Sequence, residues 1–247
     1  MKATRRDVLA VLAGAILWAP RASVFAQPKA TEPAKRREAA PPPKTSDAGP
    51  EYVPSQRGTP GGRVSGAGRG GTGRDIFVLS VLAPDHTGLT IREQPTLYWF
   101  ISKPTPLPVE ITITDPSADP PMLQTRLKST VDRGVHRLRL TDHDIRLVSG
   151  VAYQWSVAVI PDVDRRSRDI LASGMIERVE PEGSLVSKLA QANAQERIFA
   201  YARAGIWYDA LGAVSDLIER SPADQTPRSF RAALLKQVGL PEVDEER

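Results

Sequence analysis

Three histidines and several carboxylates are the residues of this sequence that could do acid–base or metal chemistry. Asp142, His143 and Asp144 are adjacent, and carboxylate and imidazole groups bind metal ions in proteins. Three consecutive side chains cannot all point at one ion, however, and no fourth donor follows at a useful spacing. Since aspartate also favours turns, the sequence predicts a solvated turn at this position.

The remaining chemistry is sparse. His86 follows Asp85 in a predicted turn, and His136 is predicted on the polar side of a strand, opposite Val135. The chain has no cysteine, which excludes thiolate metal sites, disulfides and cysteine nucleophiles. It also lacks a Gly-x-Ser-x-Gly elbow, a phosphate loop and a His-Glu-x-x-His motif. We therefore predict no catalytic residue, no metal or cofactor site and no enzyme activity, while scattered carboxylates leave a hydrolase as an alternative.

Exposed aromatic or charged side chains could instead form a binding surface. Trp99 and Trp207 could stack on a sugar if they were exposed, whereas aromatic residues of this size more often lie in a core. The mixed-charge run 162–169 is predicted to be a solvated loop that could serve as a polar contact patch.

A glycine-rich stretch, 66–71, matches the spacing Gly-x-Gly-x-x-Gly of dinucleotide-binding loops. That motif requires a preceding strand and a following helix, and neither is predicted here. Arg63, Arg69 and Arg74 among the glycines resemble a nucleic-acid-binding segment. The net positive charge lies before residue 75, so the remainder is acidic although the whole chain has a formal charge of +4. We therefore predict no nucleic-acid partner.

The first 26 residues are predicted to be an export signal. Basic residues ending in Arg5 and Arg6 precede an apolar run, and a small-residue cleavage site separates Ala26 from Gln27. The arginine pair favours the twin-arginine route, with the general secretory route as the alternative. Because the apolar run is shorter than the roughly 20 residues that span a bilayer, we expect a periplasmic or secreted protein without a stable membrane span.

Composition divides the rest of the chain into three parts. Residues 27–74 are rich in proline and glycine and are predicted to be a disordered linker. Residues 75–180 contain seven predicted strands, which cover 76–83, 97–101, 109–115, 124–128, 135–140, 150–159 and 170–179. Their length and spacing predict an antiparallel β-sandwich. The strand over 124–128 has polar gaps typical of a sheet edge.

The helical part is predicted over residues 183–240, with a disordered tail over 241–247. Apolar residues recur there at helical spacing. Gly205 is predicted to end a first helix and Pro222 a second, and Pro227 is predicted in the first turn of a third. One sheet face and the apolar stripe of each helix need cover, so we expect the helices to pack on the β domain, with a partner as the alternative.

Two local resemblances add to this prediction. The segment 147–157 resembles the strand of fibronectin type III and related immunoglobulin-like domains that carries a tyrosine corner; this implies that the Tyr153 hydroxyl holds the corner and that Trp155 fills the core. The segment Gly205–Leu211, which contains Trp207, resembles the turn and second helix of a tetratricopeptide repeat. The predicted fold class is therefore α+β, an immunoglobulin-like antiparallel β-sandwich followed by a small three-helix segment.

Most of the chain after residue 57 resembles a family of exported bacterial proteins called domain of unknown function 928. The matching pieces are Arg57–Arg74, Gly88–Thr90, Gln94–Phe100, a Gly-x-x-Tyr-x-Trp strand from Gly150 to Trp155, and Gly205–Leu211. The resemblance implies export and a two-part build, and it brings no activity. We therefore expect a non-catalytic interaction or scaffold module of the cell envelope, whose partner is a protein or polymer. Carbohydrate or envelope-polymer binding through exposed aromatics is the first alternative, and the hydrolase is the second.

Overall fold

The computed structural model describes residues 49–54, 63–67, 77–127 and 129–240. All of these residues fall within one compact unit. The predicted signal residues Arg5, Arg6, Ala26 and Gln27 lie outside the described residues, as does the predicted tail 241–247. Within the described ranges, no helix is both long enough and apolar enough to cross a membrane.

Strands in the described part of the chain form two sheets in a sandwich-like arrangement. Their bounds are β1 Val64–Ala67, β2 Phe77–Val81, β3 Gly88–Thr90, β4 Thr96–Ile101, β5 Val109–Thr114, β6 Leu123–Arg126, β7 Gly134–Arg139, β8 Ala152–Val159 and β9 Ile170–Arg178. One sheet has the order β1-β2-β4-β7 and the other the order β3-β9-β8-β5-β6. The seven predicted strands are all present, and β6 lies at a sheet edge as predicted.

Two strands, β1 and β3, were not predicted. β1 lies in the segment predicted to be a linker, and its sequence Val-Ser-Gly-Ala offers little apolar surface. β3 has only three residues and pairs in parallel with β9, so the prediction of a wholly antiparallel sandwich is wrong at this edge. A strand this short has no visible period of two, which is why the sequence pattern missed it.

The strand β8 lies in the centre of its sheet, between β5 and β9. Tyr153, Trp155 and Val157 alternate towards the core and are almost fully buried, whereas Gln154 between them is exposed. The hydroxyl of Tyr153 accepts a hydrogen bond from the backbone N–H of Val148, at 3.1 Å. This contact ties the strand to the chain that precedes it, as a tyrosine corner does.

Four α-helices follow the sheets, rather than the predicted three. They are α1 Gly183–Gln191, α2 Ala194–Arg203, α3 Trp207–Arg220 and α4 Gln225–Gln237. The additional break lies at Asn193, whose side chain accepts a hydrogen bond from the Glu196 N–H while the Glu196 side chain accepts one from the Asn193 N–H. This capping box starts a new helix, so the single helix that the apolar spacing predicted is divided into α1 and α2. Gly205, with φ of +73°, then turns the chain into α3 in a conformation that glycine adopts freely.

The first turn of α3 joins the helices to the sandwich. The Trp207 indole N–H donates to the carbonyl of Leu82 at 2.9 Å. The Tyr208 hydroxyl accepts from the Trp155 indole N–H and donates to the carbonyl of Met175, both at 2.9 Å. Because the partner groups lie in or next to the sheets, this turn fixes α3 on the sandwich.

Asp209 completes this junction. Its carboxylate accepts hydrogen bonds from the Thr90 hydroxyl at 2.7 Å, the Ile91 N–H at 3.1 Å and the Arg92 guanidinium at 3.1 Å. Burial raises the pKa of Asp209, while the hydrogen bond from Thr90 and the charge of Arg92 act in the opposite direction. Gly88 lets this edge approach α3 closely, since an added Cβ there would lie 2.6 Å from the Tyr208 ring.

Residues 49–54, called the strap below, also belong to the folded unit. The Val53 N–H donates to the Ala202 carbonyl at 3.1 Å, and the Tyr52 N–H donates to the Gln237 side chain at 2.8 Å. The ring of Tyr52 meets the Trp207 ring edge-on, with centroids 4.9 Å apart. The prediction that residues 27–74 form a disordered linker is therefore wrong for the strap and for β1. Tyr52 is a single aromatic residue among prolines, so the composition of this segment predicted a linker and gave no sign that Tyr52 packs on the core.

Candidate functional site

The residues singled out for metal chemistry do not converge. Leu140–His143 form a single 3-10 turn, and Asp144 follows it with φ of +51°. The side chain of Asp144 lies 3.6 Å from the Arg146 guanidinium. Within the described ranges, no group of three or more histidine and carboxylate side chains could hold a metal ion.

The other two histidines take part in ring contacts. The His136 ring stacks on Trp99, with centroids 4.5 Å apart, and its Nε2 lies 2.8 Å from the Asp132 carbonyl oxygen. The prediction of a polar strand side for His136 missed this contact, because the opposite strand brings Trp99 directly across from it. Trp99 and Trp207 are 1% and 0% exposed. Neither therefore presents a ring face on which a sugar could stack.

Asp85, His86 and Tyr52 form a chain of polar contacts. The Asp85 carboxylate lies 3.0 Å from Nδ1 of His86, and Nε2 of His86 lies 2.9 Å from the Tyr52 hydroxyl. The hydrogen bond with His86 lowers the pKa of Asp85, and the charge of Arg63 adds to this effect. Burial and the nearby charge of Asp85 raise the pKa of Tyr52. Because its pKa is raised, the Tyr52 phenol stays protonated and can hold the strap through its hydrogen bond. A tyrosine nucleophile would instead need a lowered pKa.

A charge network occupies the five-stranded sheet at the β5–β6 side. The buried Glu110 carboxylate accepts from Arg126 at 2.8 Å and from Arg166 at 2.7 Å. Arg166, in the predicted mixed-charge loop, also donates to Asp169 at 2.7 Å. Burial acts to raise the pKa of Glu110, but the hydrogen bonds from Arg166 and Arg126 outweigh it and lower that pKa. Arg126 and Arg166 together satisfy the Glu110 carboxylate within the chain, so these ion pairs stabilise the sheet.

We expect the Glu110→Gln substitution to destabilise the protein by about 1–2 kcal/mol at neutral pH, because it removes a charged acceptor while the two half-exposed arginines turn to water. Because the pKa of Glu110 is lowered in the folded state, its carboxylate stabilises the fold fully at pH values above the unfolded-state pKa of about 4.3. This stabilisation is lost as the pH falls through the pKa that the group has in the folded state. The difference between the two proteins should therefore shrink on acidification. Urea unfolding at pH 7 and at about pH 3 measures this; an equal difference at both pH values would contradict it.

An open groove lies between α1, α2 and the end of β9. Its volume is about 870 Å³, which falls in the range of binding pockets. Its apolar side chains are contributed by Leu89, Val179, Pro181, Leu185, Phe199 and Ile206. Phe199 is half-buried and meets the Phe230 ring edge-on, with centroids 5.2 Å apart. Leu89, Leu185 and Ile206 are buried, so the apolar surface that is open in the groove comes from Val179, Pro181 and Phe199.

Charged side chains line the same groove in two groups. Glu177, Glu180 and Glu182 come from β9 and the segment that leads into α1. Lys188 comes from α1 and Arg203 from the end of α2. Glu180 forms an ion pair with Arg178 at 3.5 Å. The groove therefore carries an acidic group and a basic group beside its apolar side chains.

This groove was not predicted from the sequence. Its residues come from β3, the end of β9, α1 and α2, and they become neighbours only through the parallel pairing of β3 with β9 and the break at Asn193. The available signal was the cluster of Glu177, Glu180 and Glu182 directly before Leu185. A cluster of this kind usually indicates a solvated surface, and the sequence pattern did not distinguish such a surface from the wall of a groove.

One comparison with known proteins identifies the family. The family model described as Domain of Unknown Function (DUF928) matches residues 64–247. This match covers both sheets and all four helices of the described structure, together with the residues that line the groove. No curated protein matches the chain.

Proposed function

We propose that this chain, which belongs to the Domain of Unknown Function (DUF928) family, is a non-catalytic interaction module of the cell envelope. In this proposal the sandwich and helices form a rigid scaffold, and the partner binds in the groove between α1, α2 and the end of β9. We further propose that the chain is exported by the twin-arginine route, since Arg5 and Arg6 precede an apolar run. The tyrosine-corner contact supports an immunoglobulin-like relationship of the sandwich.

The observation that supports this function most strongly is the groove itself. In this concave surface the partly exposed apolar side chains of Val179, Pro181 and Phe199 lie beside exposed charged residues. Exposed apolar surface bordered by polar residues is typical of interaction sites. The buried polar residues Asp209 and Tyr208, by contrast, are fully engaged in joining α3 to the sheets.

Site-specific photocrosslinking in intact cells of the source organism tests the proposal. A photoreactive residue at Ser184, which lines the groove, is expected to give a discrete adduct. The matched control places the same residue at Ala232, an exposed position of α4 outside the groove. Adducts that form equally at both positions, or at neither, would refute a partner in the groove.

The glutamates of the groove favour a hydrolase as the second candidate, because two carboxylates in a concave site are what glycoside hydrolysis requires. Under the leading proposal, the protein releases no more product from envelope polysaccharide than a Glu180→Gln, Glu182→Gln double variant does. Turnover by the unmodified protein that disappears in the double variant would instead establish the hydrolase.

A further inference from the structure

We infer that the surface beneath the strap is a peptide-recognition site, and that this site takes the strap of a second copy of the chain when its own strap is detached. The residues that bond to or stack on the strap do not line the groove between α1, α2 and β9. This inference therefore goes beyond the proposed function, and its failure would leave that proposal untouched.

The strap has the pattern of an extended segment that is bound on one side. Pro50 and Tyr52 are buried, whereas Glu51 and Val53 are exposed. Side chains alternate in this way when an extended chain lies along a surface with every second residue facing it. The strap therefore contacts the rest of the protein as a bound peptide does, through inward side chains and its own backbone.

The backbone of the strap is held by a side-chain amide and by a helix carbonyl. The Gln237 side chain donates to the Pro50 carbonyl and accepts from the Tyr52 N–H, both at 2.8 Å. The Val53 N–H donates to the Ala202 carbonyl at 3.1 Å. Hydrogen bonds to the main chain give affinity for an extended peptide, while pockets for its side chains give specificity.

An aromatic pocket accepts the side chain of Tyr52. Its ring meets Trp207 edge-on and stacks on His86, with centroids 4.9 Å and 5.9 Å apart, and its hydroxyl lies 2.9 Å from Nε2 of His86. The strap also approaches α4 closely, since an added Cβ at Gly49 would lie 2.9 Å from the Cβ of Ala233. The site therefore selects the sequence Gly-Pro-x-Tyr.

No residue of the strap forms part of the site that holds it. The groups that bond to or stack on the strap belong to residues between His86 and Gln237, so the strap of a second copy can form the same contacts. A covalently attached segment is present at an effective concentration on the order of millimolar. The chain's own strap therefore excludes a free one, and exchange is expected where that strap is weakened.

Binding of a synthetic peptide of residues 47–56 to the purified full chain tests the site. The Tyr52→Ala chain, whose own strap lacks its anchor, is expected to bind this peptide at least about tenfold more tightly than the unmodified chain, whose strap competes. Tyr52→Ala in the peptide should abolish binding, whereas Glu51→Ala should leave the affinity unchanged because Glu51 is exposed. Equal affinity of the two chains, or of the two altered peptides, would overturn the inference.

A complementary pair of full chains tests the exchange between copies. The Tyr52→Ala chain keeps the site, whereas the Gln237→Ala chain keeps the anchor and loses both backbone hydrogen bonds of the site. A tagged Tyr52→Ala chain should retain the Gln237→Ala chain at least about tenfold better than a tagged unmodified chain does. Lys236→Ala, which changes the exposed neighbour in α4, is the matched control and should not increase retention.

Failure of the tagged Tyr52→Ala chain to retain the Gln237→Ala chain would overturn the inference, even if the peptide bound. Tyr52→Phe provides a milder second variant should Tyr52→Ala disturb folding, because it keeps the ring and removes only the hydroxyl contact with His86. The same order of affinities, with smaller differences, is expected for that variant, and the reverse order would overturn the inference as well.

Discussion

Replacing Asp209 with alanine is expected to lower the free energy of unfolding by about 2–4 kcal/mol, because it leaves two hydrogen-bond donors inside the fold without an acceptor. Asp209 is 2% exposed, and its carboxylate is the acceptor for the Thr90 hydroxyl and the Ile91 N–H. Alanine leaves both donors without an acceptor, and a buried unsatisfied donor costs about 1–3 kcal/mol. Urea or thermal unfolding of the purified chain measures the loss.

Asp216→Ala is the matched control for this prediction, because Asp216 is an exposed aspartate on the same helix. Its effect should stay within about 0.5 kcal/mol, as for most surface substitutions. Asp209→Asn should lie between the two, since its side-chain oxygen can still accept from Thr90 or Ile91. If Asp209→Ala were no more harmful than Asp216→Ala, the carboxylate would not hold α3 to β3 as described.

Replacing Trp207 with alanine is expected to cost about 3–5 kcal/mol, the usual range for removing a large aromatic side chain from a core. Trp207 is fully buried, and its ring supports Tyr52 of the strap at a centroid distance of 4.9 Å. The substitution also leaves the Leu82 carbonyl without its indole donor. We therefore expect the strap to detach together with the loss of stability, and hydrogen exchange at the Val53 amide measures that detachment.

Trp207→Phe separates the two contributions of this side chain. It keeps most of the apolar volume and removes only the hydrogen bond to Leu82, so we expect a loss of about 1–3 kcal/mol. The Val53 amide should stay more protected in this variant than in Trp207→Ala. Equal exchange at Val53 in both variants would argue that the ring does not support the strap.

The regular strands of this fold follow from local patterns. The alternation of Tyr153, Trp155 and Val157 predicted β8, and the polar gaps after Leu123 predicted an edge strand. Short or isolated elements were not predicted, because three residues, as in β3, or a single aromatic residue, Tyr52, show no periodicity. The capping box at Asn193 was a readable signal, and the apolar spacing that continued through it obscured the break.

At the junction of the helices and the sheets, the turn could be predicted from the sequence, whereas the contacts of Asp209 could not. The sequence placed Gly205 and Trp207 at the turn before a helix, yet nothing in it indicated that Asp209 would accept from Thr90, which lies 119 positions earlier. The groove was hidden for the same reason, since its acidic and basic groups belong to different elements. Contacts between distant segments depend on how the elements pack, and one sequence carries no local record of that packing.

The strap also decides where a stable fragment of this protein can begin. The family match starts at residue 64, yet Tyr52 covers the edge of Trp207, and the Gln237 side chain bonds to the backbone of both Pro50 and Tyr52. A fragment trimmed to the family boundary would lose an aromatic ring from its core while keeping every residue that the match includes. The packed unit is thus longer than the segment that the family model matches. We expect a fragment that begins at or before Gly49 to be more stable than one that begins at residue 64.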